Sequence, residues 1–210
     1  MGKIEITKKV LGICATNCYT VVDTETKEAL IIDPADRADV LIRDWKDKGV
    51  TPTTVLLTHG HFDHIGALAG VKKEYPDIKV YAAAEEKEVM ESPALNLSSS
   101  FGAAFTAQAD IYLEDGAEIE VLGRKCKCLL VPGHTKGGMC YYFPEENVVF
   151  TGDTLFCYSV GRTDFPTGDA KALENAIREQ LFTLPDETLV LPGHDAQTMI
   201  GKEKKGNPYF

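Results

Sequence analysis

Residues 55–64 read Val55-Leu56-Leu57-Thr58-His59-Gly60-His61-Phe62-Asp63-His64 and hold three of the chain's five histidines. The apolar run before Thr58 predicts a buried strand over 53–58 that stops where the histidines begin. If extended backbone persists past Thr58, His59 and His61 are two apart and project the same way. Asp63 and His64 then fall in the turn that opens the next helix, predicted over 65–74. The stretch thus presents two groups of ligand-type side chains rather than one. Asp63 taken alone would serve equally as a helix N-cap.

The remaining histidines occur in matching settings. Leu130-Val131-Pro132-Gly133-His134 and Val190-Leu191-Pro192-Gly193-His194 are both an apolar strand followed by Pro-Gly-His. Glycine there lets the chain turn sharply and approach a crowded site. A further strand, predicted over 147–151, ends in Gly152-Asp153. One histidine after Pro-Gly would be an ordinary turn residue, but here every histidine of the chain stands at a strand end. Imidazole with carboxylate suits zinc, iron or manganese, and no thiolate is needed.

Outward from these motifs, short strands are predicted over 4–8, 17–22 and 29–33, and a helix over 38–48 with Gly49 as its stop. A strand over 79–82 and a short helix over 85–91 follow. Residues 92–109, rich in Ser, Ala and Phe without a period, fit either a lid or a plain surface connection. Strands return over 111–113, 117–121, 125–131 and 139–143. Leu173, Ile177 and Leu181 mark a helix over 170–181, a last strand spans 188–191, and the tail from Lys202 is charged. This order is not a βαβ alternation. It fits an α+β protein in which two sheets pack together with helices outside. No linker marks a second domain, so 1–210 is expected to be one domain.

Composition narrows the function. Across 210 residues, Lys and Arg number 22 and Asp and Glu 32, a net charge of −10. That balance argues against a non-specific nucleic-acid binder. Mean hydropathy is −0.14, and no apolar run approaches the roughly 18 residues of a bilayer span. The N-terminus lacks the features of a signal peptide, so a cytoplasmic protein is expected. The six cysteines form no Cys-x-x-Cys pair and read as free thiols, with a structural zinc site or disulfide as the alternative.

Thr58-His59-Gly60-His61-Phe62-Asp63-His64 resembles the His-x-His-x-Asp-His motif of the metallo-β-lactamase superfamily. Pro132-Gly133-His134-Thr135, Thr151-Gly152-Asp153-Thr154-Leu155-Phe156 and Leu191-Pro192-Gly193-His194 are similar to later motifs of its glyoxalase II branch, as is Val160-Gly161-Arg162-Thr163-Asp164-Phe165. The resemblance implies a four-layer αββα sandwich with the site at one edge. It implies that His59, His61 and His134 hold a first metal, that Asp63, His64 and His194 hold a second, and that Asp153 bridges them. Two divalent ions are expected, zinc foremost, with iron or manganese as alternatives. With every histidine so committed, no Ser-His-Asp or Cys-His nucleophile is invoked.

The implied chemistry is attack by a bridging hydroxide on a thioester such as S-lactoylglutathione, with Asp63 and Asp153 as the catalytic carboxylates. Lys136, Tyr158 and Arg162 are candidates to bind the substrate, Arg162 also being expected in a buried ion pair with Asp164. Only 16 residues follow His194, too few for the helical domain that supplies cations to glutathione in full-length glyoxalase II. The chain therefore resembles the short bacterial-type hydrolases, and use of glutathione stays open. Alternatives on the same fold are a persulfide dioxygenase with one iron on His59, His134 and Asp153, and a lactonase. The expected partner is a small thioester, with no nucleic acid and no membrane. Oligomeric state is not legible.

Overall fold

A computed structural model describes residues 2–210. Its first sheet runs β1 (Ile4–Leu11), β2 (Thr16–Asp23), β3 (Glu28–Ile32), β4 (Thr51–Leu56), β5 (Lys79–Ala83) and β6 (Ile111–Leu113) side by side in chain order. The first three strands pair antiparallel through short turns, and β3 to β6 are parallel. Parallel neighbours need crossovers. These carry α1 (Ala38–Asp47), then α2 (Phe62–Ile65) and α3 (Leu68–Glu74), then α4 (Lys87–Glu91). The second sheet adds β7 (Glu118–Val121), β8 (Arg124–Leu130), β9 (Met139–Phe143) and β10 (Val148–Gly152). A two-stranded ribbon follows, β11 (Leu155–Phe156) with β12 (Ser159–Val160), then α5 (Ala170–Ala176), β13 (Leu189–Pro192), β14 (Thr198–Met199) and α6 (Ile200–Gly206). Its spatial order is β14-β13-β10-β9-β8-β7.

Strand alternation builds three apolar layers from this order. In β3, Ala29 and Ile31 face the layer under α1 and α3, whereas Leu30 and Ile32 face the other sheet. In β9, Met139, Tyr141 and Phe143 face inward, and Cys140 and Tyr142 face the layer under α5. Three apolar layers separate four layers of structure, which is the αββα sandwich. Trp45 of α1 is fully buried and its indole N–H donates to Thr20 Oγ1 at 3.0 Å, so the helix is tied to the sheet by area and by one directed bond. Among the described residues no helix is long and apolar enough to cross a membrane. All six thiols are free; Cys14 and Cys157 are half-buried and the other four are buried.

Four local departures from the sequence-based expectation have physical causes. The helix expected over 65–74 is broken into α2 and α3, because Gly66 packs directly on the Ala35 carbonyl and the Ala67 N–H bonds Pro34 O at 2.9 Å. The helix expected over 170–181 widens after Ala176 into one turn closed by Phe182 N–H to Ile177 O at 2.9 Å. The ribbon β11–β12 is two residues per strand, too short for any period. The charged tail is α6, which folds back because Glu203 is buried and accepts from Thr198 Oγ1, the Tyr158 N–H and Asn207 Nδ2.

Candidate metal centre

The strand ends that carry the histidines converge on one edge of the sandwich. The strand ends at Leu56 and the chain bends at Thr58 rather than staying extended, yet His61 itself is extended (φ −66°, ψ 148°) and the His59 and His61 rings converge. Cross-sheet bonds hold the edge closed: Met139 N–H to Thr58 O at 2.8 Å and Tyr141 Oη to Leu57 O at 2.8 Å. Gly133 has φ +135°, where an L side chain is strained, and this lets the chain turn to present His134. At Gly193 a side chain would strike the Asp153 carboxylate and the His64 ring, so only glycine brings His194 into place.

The seven residues form two groups that share a boundary. His59 Nε2 lies 3.1 Å from His61 Nδ1, which lies 3.0 Å from His134 Nε2. His64 Nε2 and His194 Nε2 stand 3.6 and 3.5 Å from Asp63 Oδ2. Asp153 stands between the groups, 3.3 Å from His64, 3.2 Å from His194 and 3.6 Å from His134. The donor atoms of His59, His61 and His134, and those of Asp63, His64 and His194, each fall within 4.8 Å of one another. His64 Nε2 and Asp153 Oδ1 are buried, face each other, and have no hydrogen-bond partner. Buried polar atoms are rarely left so. Convergent imidazole and carboxylate groups of this kind fit divalent cations.

Bonds on the outer sides of the His59, His64 and His134 rings direct their inner nitrogens towards the site as lone-pair donors. His134 Nδ1 bonds the Arg162 carbonyl at 2.7 Å, and a carbonyl only accepts. His64 Nδ1 bonds Asp33 Oδ2 at 2.8 Å. The same oxygen accepts from Thr58 Oγ1 at 2.6 Å, and that hydroxyl in turn accepts from His59 Nδ1 at 3.2 Å. One buried carboxylate thereby sets the tautomer of a histidine in each group. Asp63 Oδ2 accepts from Thr16 Oγ1 at 2.7 Å.

Charge follows the same division. Burial, reinforced by the neighbouring imidazoles, holds His59 well below its ordinary pKa and His61 down to about 3. Burial likewise lowers His134, against the pull of Asp153. Burial also opposes charge on His64 and His194, but there the carboxylates win and both are raised. Burial works against ionised Asp153, yet His64 and His194 hold it well below the usual carboxylate range.

A cavity of about 430 Å³ opens onto the centre. Phe62, Leu97, Phe101, Phe156 and Phe165 line it with Arg162. Residues 92–109 supply one wall: Phe101 stacks on Phe62 at 4.3 Å, and Asn96 O accepts from the Phe62 N–H at 2.8 Å. The substrate-side candidates fare unequally. Arg162 borders the cavity, but its pair with Asp164 is exposed, not buried, with the guanidinium 3.9 Å from the Phe165 ring. Lys136 is engaged by Glu88 and lies outside the lining. Tyr158 is half exposed and lines a separate groove beside Lys202 and Gly206. Sequence reading passed over Asp33 and Glu86. For Asp33 a faint cue exists, since Ile31-Ile32-Asp33-Pro34 is one more strand end with a carboxylate.

Residues 11–194 match the sequence profile of the Metallo-beta-lactamase superfamily. Hydroxyacylglutathione hydrolase GloC from Haemophilus influenzae is 35% identical over 200 residues, 92% of each chain. The solved BLEG-1 B3 metallo-beta-lactamase superposes with a TM-score of 0.92 at 38% identity, over 98% of this chain and 99% of that one. TTHA1623, solved in a di-iron-bound form, gives 0.85 at 35% identity over 97% of this chain and all of its own. With the αββα sandwich, the convergent His and Asp donors and a profile match over most of its length, the chain belongs to the metallo-β-lactamase superfamily of metal-dependent hydrolases.

Proposed function

We propose that the chain is a cytoplasmic hydrolase of small acyl thioesters working with two divalent ions. The observation that carries the reading is the full set of seven donors in two groups with Asp153 between them. His59, His61 and His134 would hold one ion, Asp63, His64 and His194 the other, and Asp153 both. Divalent ions held by these residues would supply a water of near-neutral pKa and a Lewis acid for the acyl oxygen. The protein's part is orientation. Asp33, Thr58 and the Arg162 carbonyl hold the proton of the neutral His59, His64 and His134 rings on the outer nitrogen, and Thr16 holds the Asp63 carboxylate in one pose. The aromatic walls exclude bulk water from the acyl group. A thiolate is a good leaving group, so no separate acid is needed on the departing side.

Similarity to a hydroxyacylglutathione hydrolase supports the thioester, and the complete second group favours two ions over a single iron. Zinc is the proposed metal. Iron and manganese compete for the same donors, and the di-iron form of a similar chain supports iron as the rival. Elemental analysis of purified protein tests the centre, with about two ions per chain expected. Hydrolysis of S-lactoylglutathione and simpler thioesters, abolished by chelation and restored by metal, tests the reaction. One iron per chain with oxygen uptake on a persulfide would replace this reading with the dioxygenase.

A further inference from the structure

Glu86 is fully buried, in the turn between β5 and α4. It stands at the N-cap of α4 yet its side chain makes no capping bond. Its two oxygens reach away from their own helix instead. Oε1 accepts from the Gly60 N–H at 2.8 Å, and Oε2 accepts from Thr135 Oγ1 at 3.0 Å. Gly60 sits between His59 and His61, and Thr135 directly follows His134. Gly137, two residues further on, packs flush against the same carboxylate, where a side chain would strike it.

A carboxylate costs free energy to bury, and an apolar side chain would fill this space without that cost. Burial pushes the Glu86 carboxyl up to about 7 even though the Gly60, Thr135 and Gly137 donors work to hold its charge. Two directed bonds to two loops are what an apolar residue could not supply. The loops belong to different sheets, and the nitrogens they carry must meet within about 3 Å: His59 Nε2 to His61 Nδ1 at 3.1 Å and His61 Nδ1 to His134 Nε2 at 3.0 Å.

We propose that Glu86 is a positioning residue for the first metal group, clamping the His59–His61 loop to the His134 loop. The proposal rests on reading His59, His61 and His134 as metal ligands. Residues of this kind, one bond removed from the ligands, change metal affinity by about 10- to 100-fold when removed. Glu86→Ala cuts both arms, Thr135→Val cuts one, and Glu86→Gln keeps an acceptor for Gly60 while placing an NH2 group towards Gly137.

The test measures zinc affinity of metal-stripped protein by competition with a chelating dye, alongside the melting temperature of the same metal-free samples. Val71→Ala, a truncation of a buried residue in α3 outside both loops, serves as the control for simple destabilisation. The expected result is a loss of at least about tenfold in affinity for Glu86→Ala and smaller losses for Glu86→Gln and Thr135→Val, with Val71→Ala unchanged. If Glu86→Ala does not fold, the two milder variants carry the comparison. Zinc affinity within about twofold of the native chain in every foldable Glu86 and Thr135 variant overturns the clamp, as does an equal loss in Val71→Ala. Failure of the native chain to take up zinc, iron or manganese would overturn the metal reading beneath it, a distinct and separately visible outcome.

Discussion

Asp33→Asn isolates one proton's placement from the shape of the site. Asp33 is 1% exposed and accepts three hydrogen bonds: Thr58 N–H at 2.8 Å, Thr58 Oγ1 at 2.6 Å and His64 Nδ1 at 2.8 Å. Asparagine has the same outline. Its oxygen can still accept from the Thr58 N–H, but its NH2 group then faces Thr58 Oγ1 and His64 Nδ1. His64 must accept there, and its proton moves to Nε2, the atom that faces Asp63 and Asp153. Thr58 Oγ1 must accept from the amide and donate to His59 Nδ1, which moves that proton to Nε2 as well. One substitution thus reverses the tautomer of a ligand in each group. The expected loss is about 10- to 100-fold in affinity for each ion, or about 1.4 to 2.8 kcal/mol. Replacing hydrogen bonds to a charged acceptor also costs the metal-free protein about 1 to 3 kcal/mol. Calorimetric zinc titration of metal-stripped protein reads the first effect and urea unfolding the second. Affinities for both ions equal to those of the native chain, with the fold intact, would refute the tautomer argument.

Other outcomes follow from the same geometry. Asp153→Ala should lower kcat/KM on a thioester by at least about 100-fold while the far-UV circular dichroism spectrum is unchanged; retained turnover would sink the bridging role. Tyr141→Phe removes the buried hydroxyl bonded to Leu57 O at 2.8 Å, and a cost of about 1 to 3 kcal/mol should appear as a lower urea midpoint with unchanged slope. On acidification the two groups should part company. His59, His61 and His134 are shifted down and stay neutral, whereas His64 and His194 are shifted up and take protons first. Protons compete with metal for imidazole, so affinity falls as pH falls and the second group empties earlier. Dialysis at about pH 5.5, below the ordinary histidine pKa, should leave about one ion per chain against about two at neutral pH; equal loss from both groups would contradict this division.

How much was legible before the tertiary structure differs by kind of residue. His59, His134 and His194 could be read as candidate ligands because each follows an apolar strand and a local breaker, Val55–Leu57 before His59, Pro132-Gly133 before His134 and Pro192-Gly193 before His194, whereas Asp63 and His64 lie in α2 and stand out only by their spacing from His59 and His61. The two-sheet arrangement was legible from the order of strands and helices, but the layer that each β3 or β9 side chain faces was not, since Ala29–Ile32 and Met139–Phe143 are unbroken apolar runs buried on both faces. Partners across the fold left no such mark. Asp33 serves His64 from 31 residues away and Glu86 serves Thr135 from 49. A carboxylate that will be buried and bonded looks in sequence like one that will be solvated. Glu203 within Lys202-Glu203-Lys204-Lys205 shows this most plainly: the run reads as a charged tail, yet that one side chain is buried and anchors α6. The substrate-side candidates show the converse, because Lys136 and Arg162 are occupied by Glu88 and Asp164, and Tyr158 lies in another groove. Local periodicity and turn chemistry are written into neighbouring residues, so the sequence alone determined the strands and the histidines that follow them, and the four-layer sandwich followed from the family resemblance. Which polar groups meet once distant loops are brought together is decided by packing, so only the tertiary structure identified what orients them.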